Sequence, residues 1–391
     1  MFDWVGCLLK ALYCYGFLIG VSNFEVDWKT GRAYKTSRCT TLAVLINFLT
    51  MALLIVYLSG NTQLNIISKS ANKLHEHVVQ VMAVLRTVAG FTVILYRWRQ
   101  RPQLMILVRM AFRLFLHRPQ TMRMSRWVIL SKVITVCISD LLQVSLTLEG
   151  LNHLGFRQIQ GMVFQFAMAA LTSFAITQHY LVMLFVRIQY QILNSELKQV
   201  IEESRWLSYH SPRNGVFMTR CCYLADQLED ISIWQDQMQS IVTYLGEVFG
   251  VQGLLAYSGN YINSVGTTYL TFSLYKYGRE TIGLPLKSLI LSFIWCFFDY
   301  LNALRSHFLM LSIVDEHQKT MRLLEERTVF APGLDVRLEQ SFEAFQFQLA
   351  RNPLKMHVMN MFPISHTFTT AMFSSLAMNT IYLIQYDMEN F

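Results

Sequence analysis

The chain alternates long stretches that contain no Asp, Glu, Lys or Arg with segments where those residues collect. Cys39 to Ser68, Gln158 to Val186, Val248 to Tyr275 and Met356 to Tyr386 are free of formal charge throughout. Three further apolar stretches carry one or two charges: Val78 to Tyr96 holds Arg86, Val128 to Leu148 holds Lys132 and Asp140, and Pro285 to Asp299 holds Lys287. A helix needs about 20 predominantly apolar residues to cross a hydrocarbon core of about 30 Å. The pattern therefore predicts an all-α membrane protein with seven transmembrane helices.

Between these stretches the hydrophobic period becomes helical rather than continuous. Leu193, Leu197, Val200 and Ile201 recur at three- and four-residue steps among charged neighbours, and so do Leu224, Leu228 and Ile231. Leu338, Phe342, Phe345 and Leu349 form a third stripe, which Pro353 ends. Amphipathic helices must bury one side, so the fourth, fifth and sixth spans are expected to extend into a bundle on one side of the membrane. The resulting division is an N-terminal segment 1–38, spans one to four over 39–187, a helical extension 188–243, spans five and six over 244–311, a helical segment 312–356, and a final helix with a short tail over 357–391. The run Trp4 to Val21 lacks a basic start and a small-residue cleavage site, and Lys10 divides it, so it reads as a retained interfacial helix.

Composition agrees with membrane residence: 53% of the 391 residues are hydrophobic and 15% charged, with a mean hydropathy of +0.33. The net charge of +8 sits between oily segments without zinc-finger or helix-turn-helix spacing, which argues against nucleic acid as a partner. Its distribution is more informative. Of the 33 basic residues, twenty-five fall in the N-terminal region and the second-to-third, fourth-to-fifth and sixth-to-seventh connections. Only Lys69, Lys73, Arg157, Lys276 and Arg279 fall on the opposite side. Lys/Arg excess marks the cytosolic face, so the N-terminus is expected inside and the C-terminus outside. The seven cysteines avoid the outer segments, and no disulfide is expected. A G-protein-coupled receptor has the opposite orientation, and the third span ends in SLTLEG where such a receptor would carry Asp/Glu-Arg-Tyr.

No catalytic constellation, P-loop or dinucleotide fingerprint is present, so an enzyme is not expected and no cofactor or metal is implied. HEH at His75–His77 lacks the spacing of a zinc protease and reads as a solvated outer loop. Gly246, Gly250 and Gly253 have the spacing of close helix packing. Arg86, Lys132 and Asp140 are functional candidates because charge inside a span is costly, and Arg86 could pair with Asp140.

The last span is the most informative. Pro363 breaks the preceding element, Ser365 can cap the helix, and His366 to Tyr386 is long enough for one crossing, about 31 Å. At 100° per residue, Thr367, Ala371, Ser374, Ser375, Met378, Asn379, Tyr382, Gln385 and Tyr386 share one half of the wheel. Met372, Phe373, Leu376, Ala377, Thr380, Leu383 and Ile384 occupy the other. The polar half suits either helix packing or a water-filled pore.

Seven spans, an inside N-terminus and a short outside tail after a polar-aromatic final helix resemble the insect gustatory receptor family, over essentially the whole chain. That family's signature in the last span is Thr-Tyr, about five hydrophobic residues, then Gln-Phe. Gln385-Tyr386 matches its end conservatively, whereas Met378 and Asn379 stand where Thr-Tyr would fall. The ending SSLAMNTIYLIQYDMEN is most similar to a divergent, bitter-type fruit-fly branch. The resemblance implies a ligand-gated, nonselective cation channel, a homo- or hetero-tetramer in the plasma membrane of a sensory neuron, opened by a small-molecule tastant. It implies that Gln385, Tyr386, Tyr382 and Met378 line the pore or gate, and the charge-derived orientation places Asp387 and Glu389 outside, where they could draw cations. It also puts Gln143, Phe164, Tyr261 and Trp295 near the ligand, in the outer halves of the middle spans. The competing readings are a metabotropic receptor, which requires an outside N-terminus, and a secondary transporter, whose repeated broken helices are not evident here.

Overall fold

Each predicted span coincides with a helix of the computed structural model, which describes residues 4–28, 30–59, 74–117, 120–151, 156–209, 215–278, 286–327, 334–358 and 362–390. In chain order the helices are α1 (Trp4–Leu18), α2 (Ser37–Ser59), α3 (Leu74–Arg99), α4 (Arg101–His117), α5 (Gln120–Leu151), α6 (Phe156–Ser208), α7 (Gly215–Tyr277), α8 (Leu286–Arg327), α9 (Val336–Arg351) and α10 (His366–Asn390). Two short antiparallel hairpins join them: β1 (Glu25–Asp27) with β2 (Arg32–Tyr34), and β3 (His357–Val358) with β4 (Phe362–Pro363). The end of the first predicted span, 60–68, lies outside the described residues, as do Lys69, Lys73 and Arg279. Among the described residues, α2, α3, α5, α6 and α8 are long and apolar enough to cross a membrane on composition alone. The helices α7 and α10 are also long, but Ser, Thr, Asn, Gln and Tyr dilute their apolar residues.

The helix α6 occupies the centre, packed against α2, α3, α5, α7 and α8. The approach of α3 is close because Gly90 offers no side chain: an added Cβ would stand 2.6 Å from the Met168 sulfur of α6. The helices α6, α7 and α8 run 53, 63 and 42 residues, or about 80, 95 and 63 Å at helical rise. A bilayer core uses about 30 Å of that. The surplus forms the expected bundle, where Leu193, Leu197 and Val200 of α6 and Leu224 and Leu228 of α7 share one buried cluster with Leu338, Phe342, Phe345 and Leu349 of α9. The start of α9 is set by Asp335, whose carboxylate accepts the Arg337 N–H at 3.2 Å. Its end coincides with Asn352, just before Pro353.

Two elements differ from the sequence expectation. The basic second-to-third connection is not simply a loop: it includes α4, which buries Leu104, Leu107 and Ala111 at helical spacing. Two of its arginines bind backbone carbonyls, Arg101 from a buried position and Arg109 from an exposed one. Arg101 donates to the Asn23 carbonyl and Arg109 to that of Ala33, which ties the β1–β2 hairpin to α4. The hairpin itself turns at Gly31, whose φ of +66° lies in the left-handed region that glycine enters without strain. Charge counting for membrane orientation treats arginine as a solvated ion, and at Arg101 a backbone carbonyl takes the place of solvent.

Candidate functional site

The helix α10 begins where Pro363 and Ser365 predict: the Ser365 hydroxyl accepts the Phe368 N–H at 3.1 Å. Its two predicted faces separate in space. All nine residues of the polar half, Thr367 through Tyr386, are exposed on the protomer surface. Of the other half, Met372, Phe373, Leu376, Leu383 and Ile384 are half-buried and Thr380 is buried, with Ala377 alone exposed. The gate candidates are therefore uncovered: Met378 is 55%, Tyr382 61% and Tyr386 53% exposed. Tyr382, Gln385, Tyr386 and Glu389 line one open groove with Asn379.

Behind α10 lies a cavity of about 470 Å³, walled by α6, α7, α8 and the apolar face of α10 itself, including Met372, Phe373 and Leu376. A smaller cavity of about 90 Å³ adjoins it toward α3 and shares Thr172, Asn260 and Ala303 with it. The small one is more ionic, being lined by Arg86, Trp295 and Asp299. The Arg86 guanidinium lies 4.8 Å from the Trp295 ring centroid, a cation–π contact in a position where a bare charge would be costly. The large cavity is lined by the phenols of Tyr257, Tyr261 and Tyr300 and the imidazoles of His179 and His307, among methionines and aliphatic groups.

The structure distributes the four ligand candidates unevenly. Tyr261 lines the large cavity and Trp295 the small one. Phe164 is fully buried in a cluster with Met168, Leu171 and Phe174, and Gln143 is half-buried on α5, lining neither cavity. Gly246, Gly250 and Gly253 all line the large cavity, and a Cβ added at Gly246 would meet nothing within 4 Å. Close helix packing is therefore not what Gly246 provides: its missing side chain leaves part of the cavity open.

Polar contacts connect the cavity wall to α10. The Tyr261 hydroxyl is 2.7 Å from Ser375 Oγ and accepts from Asn379 Nδ2 at 2.5 Å. His307 Nε2 is 2.7 Å from Thr369 Oγ1, and His366 at the start of α10 lies 3.0 Å from Asp315 of α8. These partners are far apart in sequence, and only isolated polar residues in apolar spans hint at them.

The buried charges also find specific partners. Asp140 accepts a 2.7 Å hydrogen bond from Tyr15 of α1, and Arg86 sits on Trp295, so the pairing of Arg86 with Asp140 gives way to separate contacts. Lys132 is fully buried, donates to Asn302 and, at 3.2 Å, to Ser306, and lies over the Tyr180 ring. HEH lies in the first turn of α3 rather than in a loop, and while His77 is exposed, His75 is 8% exposed with its ring against Tyr277 of α7. Asp387 is likewise not free to draw cations as expected. It is completely buried, because Tyr269, Lys276 and Tyr277 of α7 enclose it, whereas Glu389 is exposed.

Comparison with known proteins follows the same lines. Residues 9–390 match the family model described as 7tm Chemosensory receptor. The chain is 48% identical over 391 residues to putative gustatory receptor 36a of Drosophila melanogaster and 48% identical to putative gustatory receptor 36b of the same fly, each pair covering 100% of both chains. Among solved structures, the insect olfactory receptor OR5 from Machilis hrabei superposes with a TM-score of 0.68 at 11% identity, covering 98% of each chain. The same receptor in complex with eugenol gives 0.60 at 12% identity over 97% of each. At such identities the structural likeness speaks for the fold, while the full-length sequence matches place the chain in the insect gustatory receptor family.

Proposed function

We propose that the protein is a subunit of a ligand-gated, nonselective cation channel that opens on binding a small extracellular tastant of the bitter or aversive type. In this reading seven helices cross the plasma membrane of a sensory neuron, with the N-terminus in the cytosol and the C-terminus outside, an orientation that the excess of Lys and Arg in one set of connections supports. Four related chains, identical or mixed, surround the pore with their α10 helices, and lipid covers the outer surface.

The observation that carries this reading is the uncovered half of α10, nine residues long and populated by Ser, Thr, Asn, Gln and Tyr. Beyond Ser375 and Asn379, which meet Tyr261, a helix facing hydrocarbon would deprive such side chains of water, at a cost of about 1–3 kcal/mol for each one unsatisfied. Water in a pore, or neighbouring copies of α10, removes that cost. Gln385 and Tyr386 stand at the outer end of this face, where they form or adjoin the gate.

The cavity behind α10 is the ligand site in this reading. Its 470 Å³ suits a drug-sized organic molecule. Among the described residues, Glu247 and Lys355 are the only formally charged ones lining it. The body of the ligand is therefore uncharged and amphipathic, and a polar end can reach the Arg86–Asp299 annex. Eugenol, bound by the Machilis receptor, is a compound of this general character. Displacement of Met372, Phe373 or Leu376 by ligand acts directly on the back of the pore helix.

Expression of the chain, alone and with related receptors, in a heterologous membrane tests the channel reading. Tastant should evoke cation current that persists when G-protein signalling is inhibited, and Gln385→Ala should alter its selectivity or gating. Unchanged current in Gln385→Ala at normal surface expression would remove the gate role. An epitope tag at Met1 that is accessible without permeabilisation would overturn the orientation.

A further inference from the structure

The carboxylate of Asp387 receives every donor that the outer end of α7 presents to it. Tyr269 donates to Oδ1 at 2.8 Å, and Tyr277 and Lys276 donate to Oδ2 at 3.0 and 3.1 Å. The Lys276 ammonium also reaches the Asp387 backbone carbonyl at 3.0 Å and lies 4.7 Å from the Tyr277 ring centroid. On its far side the Tyr277 ring rests on that of His75, 6.5 Å between centroids, at the start of α3. Asp387 itself is 0% exposed. Burying a carboxylate is costly unless it is both paired and hydrogen-bonded, and here both conditions are met.

We propose that Asp387 is a positioning residue of the gate, clamping the last turns of α10 to the end of α7 and thereby setting the direction in which Gln385 and Tyr386 point. This inference rests on the reading of α10 as the pore helix. The geometric reason lies in helical spacing. Residues two apart are separated by about 200° around the axis, so an Asp387 held against α7 turns Gln385 away from α7, onto the uncovered face. A second contact fixes the same register lower down: Tyr261 of α7 meets Asn379 of α10. From Tyr261 to Tyr269, and from Asn379 to Asp387, each helix advances by eight residues, about 12 Å. The two helices therefore run parallel, joined at two rungs, and rotation of α10 about its axis must break the upper rung before the gate residues can change face. Asp387 thus acts by holding neighbouring residues and not by attracting ions.

The test combines current recording with chemical labelling of Gln385→Cys by a charged, membrane-impermeant thiol reagent applied from outside, normalised to surface expression. Asp387→Asn keeps the side-chain shape and removes the charge; Lys276→Met removes one donor; Tyr269→Phe removes a single hydroxyl and serves if the first variant fails to reach the surface. Loss of a charge-assisted bond should change the labelling rate at position 385 and the half-maximal tastant concentration by about tenfold. Lys276→Arg should restore both, Asp387→Asn combined with Lys276→Met should be little worse than either alone, and Met388→Ala, an exposed neighbour, should leave both near wild type. Wild-type labelling and half-maximal concentration in surface-expressed Asp387→Asn and Tyr269→Phe would overturn the clamp. A wild-type chain that passes no current would count against the channel reading alone, because the labelling rate still reports the clamp: a changed rate supports it and an unchanged rate overturns it.

Discussion

Phe345 and Phe347 lie two residues apart on α9, and the fold assigns them opposite environments: 1% and 68% exposed. Replacing each by alanine therefore tests the bundle with the chemistry held constant. For Phe345 the loss combines the transfer of a buried ring with the cavity left behind, about 3–5 kcal/mol. The area ledger agrees, since a ring residue burying about 150–250 Å² at about 25 cal/mol per Å² contributes roughly 4–6 kcal/mol as an upper bound. For a chain of this size each kcal/mol moves the melting midpoint by about 2 °C. Phe345→Ala should thus lower the midpoint of the detergent-solubilised receptor, followed by intrinsic fluorescence, by about 6–10 °C. Phe347→Ala should stay within about 1 °C, as exposed substitutions usually do. Equal shifts, or a larger one for Phe347→Ala, would refute the face assignment of α9 and with it the packing of α9 against the extensions of α6 and α7.

Further expectations follow from the site. Tyr261→Phe removes a hydroxyl with two partners on exposed positions of α10, worth together about 1 kcal/mol at the lower end of the hydrogen-bond range. Dose–response currents should then shift about fivefold in half-maximal concentration, and an unshifted curve would dissociate this contact from gating. Gly246→Ala should stabilise α7 by about 0.5–1 kcal/mol, because its Cβ enters open space, and be visible as a higher melting midpoint. Gly246→Phe should instead fill the cavity and weaken the tastant response with surface expression intact; an unaltered response would place the ligand elsewhere. At Asp387, burial raises the carboxyl pKa, but hydrogen bonds from Tyr269, Lys276 and Tyr277 and the Lys276 charge outweigh it, and the net shift is downward from 3.8. A depressed carboxylate stabilises the fold above its unfolded pKa and loses that contribution as pH falls through its folded value. The stability gap between wild type and Asp387→Asn should therefore be constant from pH 8 to 5 and close only below about 4; a gap that closes near neutrality would contradict the hydrogen-bonded assignment.

The sequence by itself determined the seven long apolar helices and the faces of α9 and α10, though not α4. Uncharged stretches of sufficient length, three- and four-residue stripes and the Pro363–Ser365 start signal are local properties, and hydrophobic period reports directly which side of a helix is buried. Hence Leu338, Phe342, Phe345 and Leu349 are buried as their spacing requires, and the polar half of α10 is the exposed half. Only tertiary structure decided which polar groups meet. Tyr15 with Asp140, Tyr261 with Asn379, and Tyr269 with Asp387 are each separated by more than a hundred residues, and a lone polar side chain in an apolar span carries no record of its partner. The same limit explains the reversals. His75 and Asp387 read as solvated because polar residues near helix ends usually face water, and they are buried because helices distant in sequence bring rings and donors over them. Gly246 reads as a packing contact because small residues permit close approach, yet whether a neighbour uses the space or leaves a cavity depends on where the other helices stop.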